Sequence, residues 1–233
     1  MTRRFLGALQ FLTILPIPGD TAPASESAIF FPLVGALIGA SAGVVLLTGN
    51  ALLVIAWLLV VTGCIHEDGL ADVADAFRAG RSRERILAIL KDRRIGTYGC
   101  LALVMSVLIR WQALAQMRAN PAYGMIAAVA LSRSALVALA AVAPAAGDGL
   151  GREFVNGMRR NTVLAAIAQA FAIAFLTGWQ CATVMVLSSA AIVLLARAYF
   201  VRRLGGVNGD CLGATCQIVE TANLLILTWP RFS

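Results

Sequence analysis

Apolar runs of membrane-spanning length alternate with short polar connections along most of the chain. An α-helix needs about 20 predominantly apolar residues to cross a hydrocarbon core of ~30 Å. Seven runs are candidate spans, or six because two of them are short: 29–48, 51–65, 100–117, 123–143, 163–177, 181–200 and 211–229. The pattern predicts an all-α, polytopic transmembrane helix bundle that forms one domain over residues 1–233.

Two features refine this bundle. The first 28 residues begin with two arginines and an apolar run, as a signal peptide does, but Gln10 interrupts the run and Pro16 closes it. We therefore expect a retained amphipathic helix that is partly inserted in the membrane. In the first long span, Gly35, Gly39 and Gly43 are four residues apart, which predicts a ridge of small residues for close helix packing.

The composition supports a membrane protein and excludes a nucleic-acid binder. The chain is 60% hydrophobic and 13% charged, with a mean hydropathy of +0.83. Its net charge of +7 comes from basic residues in short loops rather than along one face, which suits anionic lipids and phosphorylated substrates. The five cysteines form no CxxC pair and are interpreted as small apolar residues.

The loops rich in basic residues predict the topology. If the N-terminus is cytoplasmic, the loops 66–99, 147–162 and 201–210 all lie in the cytoplasm, as the positive-inside rule requires. The polar, glycine-rich segments then share one face of the membrane.

The candidate chemistry concentrates in residues 61–99. This stretch holds six of the twelve acidic residues and the single histidine, His66. Asp68, Asp72 and Asp75 have the spacing i, i+4, i+7, so a helix presents them on one face. Carboxylates so placed repel one another unless a cation lies between them, and Mg²⁺ is usually held by a few carboxylates, water and substrate phosphates. We therefore predict that these aspartates act in catalysis and bind Mg²⁺.

The second half of the stretch resembles a phosphate-binding loop in front of a helix. Cations, a hydroxyl and two glycines precede the next apolar run, so backbone N–H groups and a positive helix end are available to a phosphate. A solvated cytoplasmic loop would explain the arginines equally well. The predicted substrate-binding residues here are Lys91, Asp92, Arg93, Arg94, Thr97 and Tyr98.

Several other polar residues are candidates for the same site. Arg110 and Arg133 lie within predicted spans, and each could contact substrate phosphates or pair with a buried acid. In the loop after residue 200, Gly209 is a predicted substrate contact, and Asp210 is either a helix N-cap or a further metal ligand, which we favour.

His66 and Glu67 stand directly before the aspartates. His66 could be a general base, a metal ligand or a structural residue, and we expect it in the catalytic site. Glu67 lies about 100° off the face that the aspartates share, so it is the weaker candidate ligand.

These motifs resemble those of a known family across nearly the whole chain. The run 62–75, TGCIHEDGLADVAD, is similar to the central motif of the cobalamin synthase family, adenosylcobinamide-GDP ribazoletransferase. The segments 11–18, 31–35, 91–99 and 204–214 resemble further family motifs in the same order. Three positions depart from the family pattern. Cys64 and Ala76 stand where glycine is usual, and Glu67 stands where an apolar residue is usual.

The resemblance implies a multi-pass enzyme of the bacterial inner membrane whose site faces the cytoplasm. Such an enzyme joins α-ribazole, or its 5′-phosphate, to adenosylcobinamide-GDP, and it requires Mg²⁺. The products are adenosylcobalamin, or its 5′-phosphate, and GMP, which completes the nucleotide loop of cobalamin. Other enzymes of cobalamin assembly are candidate partners.

Two alternative functions account for some of the same residues. A CDP-alcohol phosphotransferase of lipid synthesis also carries aspartates at helical spacing, but the arginine that such enzymes place after their DGxxA segment is absent here. A divalent-cation transporter would place its acids near the bilayer midplane, often in repeated halves. The acids here cluster towards one face, and the sequence shows no repeat.

Overall fold

The computed structural model describes residues 1–92, 94–117, 121–230 and 232, and it confirms the all-α fold. A single isolated bridge, Ala145 to Val207, is the only β pairing within these residues. The helices of the described chain are α1 (Thr2–Leu12), α2 (Ala24–Ser27), α3 (Phe31–Leu46), α4 (Ala51–Thr62), α5 (Ile65–Ala79), α6 (Arg83–Leu90), α7 (Thr97–Gln116), α8 (Pro121–Val142), α9 (Leu150–Asn156), α10 (Arg160–Ala174), α11 (Trp179–Leu204) and α12 (Gly209–Ile226).

Five helical segments of the described chain are long and apolar enough to cross a membrane, and α4 with α5 would make a sixth if the bent pair counts as one span. The five are Ala24–Leu46, Thr97–Gln116, Pro121–Val142, Arg160–Thr177 and Trp179–Leu204. The count is therefore five or six rather than seven. The last predicted span corresponds to α12, which is not among the five. Its buried residues Gln217, Glu220 and Asn223 face the bundle interior and lower the mean hydropathy of the helix.

Helix α8 forms the centre of the bundle, and its side chains are buried along most of its length. Helix α3 packs along it, and the predicted glycine ridge is the reason. A Cβ added at Gly39 would lie 2.6 Å from the carbonyl oxygen of Met125, and one at Gly35 would lie 2.8 Å from that of Val129. The absence of side chains lets the two backbones approach, which confirms the small-residue packing.

A turn at Gly63 and Cys64 redirects the chain between α4 and α5 by 92°. Both residues have left-handed backbone conformations, with φ of 60° and 58°. Glycine adopts this region freely, whereas a side chain costs about 1 kcal/mol or more there. A glycine at the position of Cys64 would therefore suit the turn better than a residue with a side chain. Because of this turn, α5 does not continue the direction of α4, and it is not part of the five spans.

The amphipathic N-terminal helix α1 packs against α3 and buries Ala8 and Leu12. Its charged end is exposed, where Arg3 pairs with Asp20 and Arg4 pairs with Glu26. Exposed pairs of this kind contribute little stability, so the buried apolar face holds the helix in place.

Candidate active site

Carboxylates from α5 and α12 approach one another at one end of the bundle. Asp68 and Asp72 are one turn apart on α5, and Asp210 lies at the start of α12. The two helices touch at Gly69, where an added Cβ would lie 2.8 Å from the carbonyl oxygen of Asp210. Burial and the nearby charges of Asp210, Asp68 and Asp75 raise the pKa of Asp72 to about 6. We call Asp68, Asp72 and Asp210 the acidic rim.

Asp210 is available to this rim because another residue caps α12. The side-chain oxygen of Asn208 accepts a hydrogen bond from the Cys211 N–H at 3.0 Å, which is the usual N-cap contact. The amide nitrogen of Asn208 also donates to Asp210 at 2.8 Å. The N-cap interpretation of Asp210 is therefore wrong, and its carboxylate faces α5 instead.

Asp75, the third aspartate of the shared face, holds the loop in front of α7. Its carboxylate accepts hydrogen bonds from the backbone N–H of Gly96 at 2.7 Å and of Gly99 at 2.9 Å. A Cβ at either glycine would collide with this carboxylate. The sequence interpretation left these N–H groups free for phosphate, and the structure corrects it: Asp75 occupies two of them and neutralises the positive end of α7.

The described members of the predicted phosphate-binding set lie beside this junction, on the exposed segment before α7 and in the first turn of α7. Arg94 donates to the Asp92 carboxylate at 3.0 and 2.8 Å, and these hydrogen bonds lower the pKa of Asp92. Lys91 and Thr97 are exposed, and the half-exposed ring of Tyr98 contacts the guanidinium of a neighbouring arginine. Arg93 lies outside the described residues. We call residues 91–98 the basic loop.

A cavity of about 200 Å³ opens beside the acidic rim. Its apolar wall contains the rings of Phe11, Phe31 and Phe154, whose centroids are 5.4 to 6.0 Å apart and whose planes are nearly parallel. Its polar side contains Asp68 and Asp210 of the rim. We call this space the phenylalanine cavity.

His66 and Gly209 also line the phenylalanine cavity. His66 is 3% exposed, and its Nδ1 atom has no hydrogen-bond partner in the described structure. An unpaired buried polar atom is costly, so His66 has hydrogen-bonding capacity that the described structure does not use. The structure thus brings His66, Asp68, Gly209 and Asp210 together, as the sequence predicted.

Arg110 and Arg133 lie deeper in the bundle and pair with acids. Arg110 contacts Glu67 at 3.1 Å and Glu220 at 3.4 Å, and Arg133 pairs with Glu220. All four side chains are almost completely buried. The sequence left two alternatives for these arginines, a contact with substrate phosphates or a pairing with a buried acid. In the structure both arginines pair with buried acids. The structure also gives Glu67 an arginine partner instead of a place on the acidic rim. We call these four residues the buried ion network.

The acidic rim fits a divalent cation that a substrate completes. No group of three His, Cys, Asp or Glu side chains within the described ranges is close enough to form a closed metal site. Mg²⁺ commonly takes one or two protein carboxylates and fills its other positions with water and substrate phosphates. The pKa of Asp72 is raised mainly by burial and further by the neighbouring carboxylates, and a bound cation would favour its ionised form.

Sequence reasoning missed two components of the site. The three phenylalanines come from α1, α3 and α9, so their stacking is a property of the tertiary fold. Asp75 was assigned to the metal because its spacing matches that of Asp68 and Asp72. The two glycines that flank Thr97 and Tyr98 were the available signal, since paired glycines indicate a close approach of another group.

Comparisons with known proteins identify the family of the chain. The family model of cobalamin-5-phosphate synthase matches residues 4–228. Proteins called adenosylcobinamide-GDP ribazoletransferase are similar over nearly the whole chain. The one from Chlorobaculum tepidum is 39% identical, covering 96% of this chain and 94% of its own length. Those from Bradyrhizobium diazoefficiens and Escherichia coli O157:H7 are 38% and 35% identical, covering 94% and 97% of this chain and 90% and 100% of their own lengths.

No solved structure shows a significant match to this chain. The family model and the curated relatives nevertheless cover almost every residue, and the matched range contains the segments that form the acidic rim and the basic loop. The chain therefore belongs to the cobalamin-5-phosphate synthase family and is a membrane-embedded transferase of that family.

Proposed function

We propose that this protein transfers α-ribazole, or its 5′-phosphate, to adenosylcobinamide-GDP in a Mg²⁺-dependent reaction. The products are adenosylcobalamin, or its 5′-phosphate, and GMP. The observation that carries the proposal is the convergence of Asp68, Asp72 and Asp210 beside a cavity, with the exposed basic loop next to them. Such a site has an acidic face for a cation, a cationic loop for a diphosphate and a pocket for an acceptor.

The bond changes define what the site must do. A ribose hydroxyl of the acceptor loses its proton and forms a new O–P bond to the phosphate attached to cobinamide. The bond from that phosphorus to the bridging oxygen breaks, and GMP leaves with the electron pair. Reactions of this kind depend on positioning and on charge neutralisation rather than on covalent chemistry by the protein.

The residues of the site divide these tasks. Lys91 and Arg94 bind the diphosphate of the donor, with Arg94 exchanging its exposed contact with Asp92 for a phosphate contact. Asp72 and Asp210, beside Asp68, would hold Mg²⁺, and substrate oxygens and water would fill its other positions. When bound, Mg²⁺ neutralises the charge that develops on the leaving GMP. Asp75 keeps the basic loop beside α5 through its two backbone hydrogen bonds.

Asp68 is the proposed proton acceptor. It lines the phenylalanine cavity and belongs to the acidic rim, so it lies between the acceptor and the donor sites. A carboxylate in this position can take the proton as the hydroxyl attacks.

The proposed location is the bacterial inner membrane, with the site on the cytoplasmic face. The basic residues of the loops 66–99, 147–162 and 201–210 support this orientation through the positive-inside rule. Labelling from the periplasm of intact cells should miss a cysteine introduced at Ser82, which caps α6. Ready labelling there would reverse the topology.

Product formation by the purified protein tests the proposal. The protein in nanodiscs should release GMP from adenosylcobinamide-GDP only when α-ribazole and Mg²⁺ are both present, and removal of Mg²⁺ with EDTA should stop the release. Transfer of a CDP-activated alcohol, or Mg²⁺ flux into sealed vesicles without GMP release, would instead support one of the two alternative functions.

A further inference from the structure

We propose that the phenylalanine cavity binds the aromatic base of the acceptor nucleoside and that His66 donates a hydrogen bond to the free ring nitrogen of that base. The inference rests on the proposed function and assigns one substrate to one part of the site. The ligand class is a flat, mostly apolar benzimidazole that is attached to a ribose.

The shape and lining of the cavity suit such a base. The rings of Phe11, Phe31 and Phe154 are nearly parallel, with interplanar angles of 6° to 18°, and they form a wall against which a planar ring can pack. An apolar cavity of about 150 Å³ accommodates benzene in another protein, so a volume of about 200 Å³ suits a two-ring base. Leu136 and Leu212 extend the apolar lining, which suits the two methyl groups of dimethylbenzimidazole.

His66 provides the polar contact. Its side chain is buried, it lines the cavity, and its Nδ1 atom has no partner in the described structure. In a benzimidazole riboside one ring nitrogen carries the ribose and the other keeps a free lone pair. Nδ1 is closed off in this structure, so the His66 ring must turn towards the cavity before a neutral imidazole protonated at Nδ1 donates to that lone pair and satisfies the unpaired atom.

The polarity of the cavity sets the orientation of the acceptor. Asp68 and Asp210 lie at the same cavity as the phenylalanines, so a base packed on the aromatic wall leaves its ribose at the acidic rim. The attacking hydroxyl then lies beside Asp68. Guanine of the donor is the competing occupant, but its edge presents several donors and acceptors, and most of the cavity lining is apolar.

A substitution at the cavity mouth tests this assignment without disturbing the core. Leu150 lines the cavity and is 76% exposed, so Leu150→Trp should fold normally and fill the space for the base. We expect the KM for α-ribazole to rise tenfold or more while the KM for adenosylcobinamide-GDP stays within twofold. The matched control is Leu164→Trp on α10, which is exposed and is not among the residues that line the cavity, and it should leave both constants unchanged.

The role of His66 is tested with an acceptor analogue in which carbon replaces the free ring nitrogen, the riboside of 5,6-dimethylindole. The parent protein should prefer α-ribazole over this analogue by about tenfold in KM. His66→Leu should bind the two acceptors equally. A purely structural histidine would weaken both acceptors and keep the preference, and that result would overturn the hydrogen bond.

Equilibrium dialysis with labelled α-ribazole separates this inference from the proposed function. If the parent protein binds α-ribazole and Leu150→Trp does not, the subsite stands even if GMP release fails. If neither protein binds it, or if Leu150→Trp raises only the KM of the donor, the assignment is overturned. The second result would place guanine in the cavity while transferase activity remained intact.

Discussion

The acidic rim and the buried ion network contain the same kinds of charged residue in opposite settings. In the network, Arg110 and Arg133 balance Glu67 and Glu220 inside the bundle. On the rim, Asp68, Asp72 and Asp210 gather negative charge at a partly exposed edge, and burial together with these charges raises the pKa of Asp72 to about 6.

The difference shows which charges serve structure and which are available for chemistry. A buried charge that is paired is costly to disturb, because removal of its partner leaves it unbalanced. A cluster of like charges is unfavourable on its own and becomes favourable when a cation or a substrate neutralises it. We therefore assign the network to stability and the rim to catalysis, and the following changes test that division.

Glu220→Gln should give the largest loss of stability. It leaves Arg133 and part of the charge of Arg110 unbalanced in the bundle, and breaking a buried pair costs about 3–5 kcal/mol. Denaturant unfolding in detergent measures the effect. Replacing Arg133 and Glu220 together with methionine should recover much of it, and a single variant as stable as the parent would contradict the structural role.

Arg94→Ala should weaken binding of the donor. The side chain is exposed and bonded only to nearby Asp92 in the described structure, so its loss should leave folding intact while removing a charged contact to the diphosphate. We expect the KM for adenosylcobinamide-GDP to rise by about tenfold or more, with little change for α-ribazole. Arg94→Lys should recover part of the loss, because a lysine cannot make a bidentate contact. An increase confined to the acceptor would reverse the assignment of the two substrates.

Asp75→Ala should affect both stability and activity. The carboxylate caps α7 through Gly96 and Gly99, and loss of a cap costs about 0.5–2 kcal/mol. Since the basic loop is then less fixed, the KM for the donor should also rise. Thermal unfolding and steady-state kinetics on one preparation measure the two effects. If stability is unchanged and only the Mg²⁺ requirement shifts, Asp75 is a metal ligand, as its spacing in the sequence suggests.

Cys64→Gly should give the smallest change in stability, and it should stabilise the protein rather than destabilise it. Glycine relieves the left-handed conformation at φ 58°, so we expect a gain of about 0.5–1 kcal/mol. The control is Cys100→Gly within α7, which should cost roughly 0.3 kcal/mol because glycine is less favourable than cysteine inside a helix. Destabilisation by both changes would show that the turn does not strain Cys64.

The sequence was sufficient for the features that depend on local pattern. Apolar runs predicted the helices, the spacing of Gly35, Gly39 and Gly43 predicted the packing of α3, and the spacing of the aspartates predicted the face of α5. Features that depend on tertiary contacts required the structure. Periodicity cannot show that α12 buries its polar face, or that Phe154 stacks against rings from two distant helices. Periodicity also cannot distinguish the role of Asp75, which caps a helix, from the role of the two other aspartates on the same helix face.

The most direct test of the central claim is the rate of GMP release by folded Asp72→Asn protein at saturating substrates, measured across a range of Mg²⁺ concentrations. The substitution removes one charge from a mutually repelling cluster, so the variant should be at least as stable as the parent. The account predicts a fall in kcat of about 10²- to 10³-fold, in the range found when a group that stabilises transition-state charge is removed. Asp148→Asn, at an exposed acid in a loop, is the control and should retain full activity. A stable Asp72→Asn protein with a parental rate at limiting Mg²⁺ would contradict the assignment of catalysis to the acidic rim.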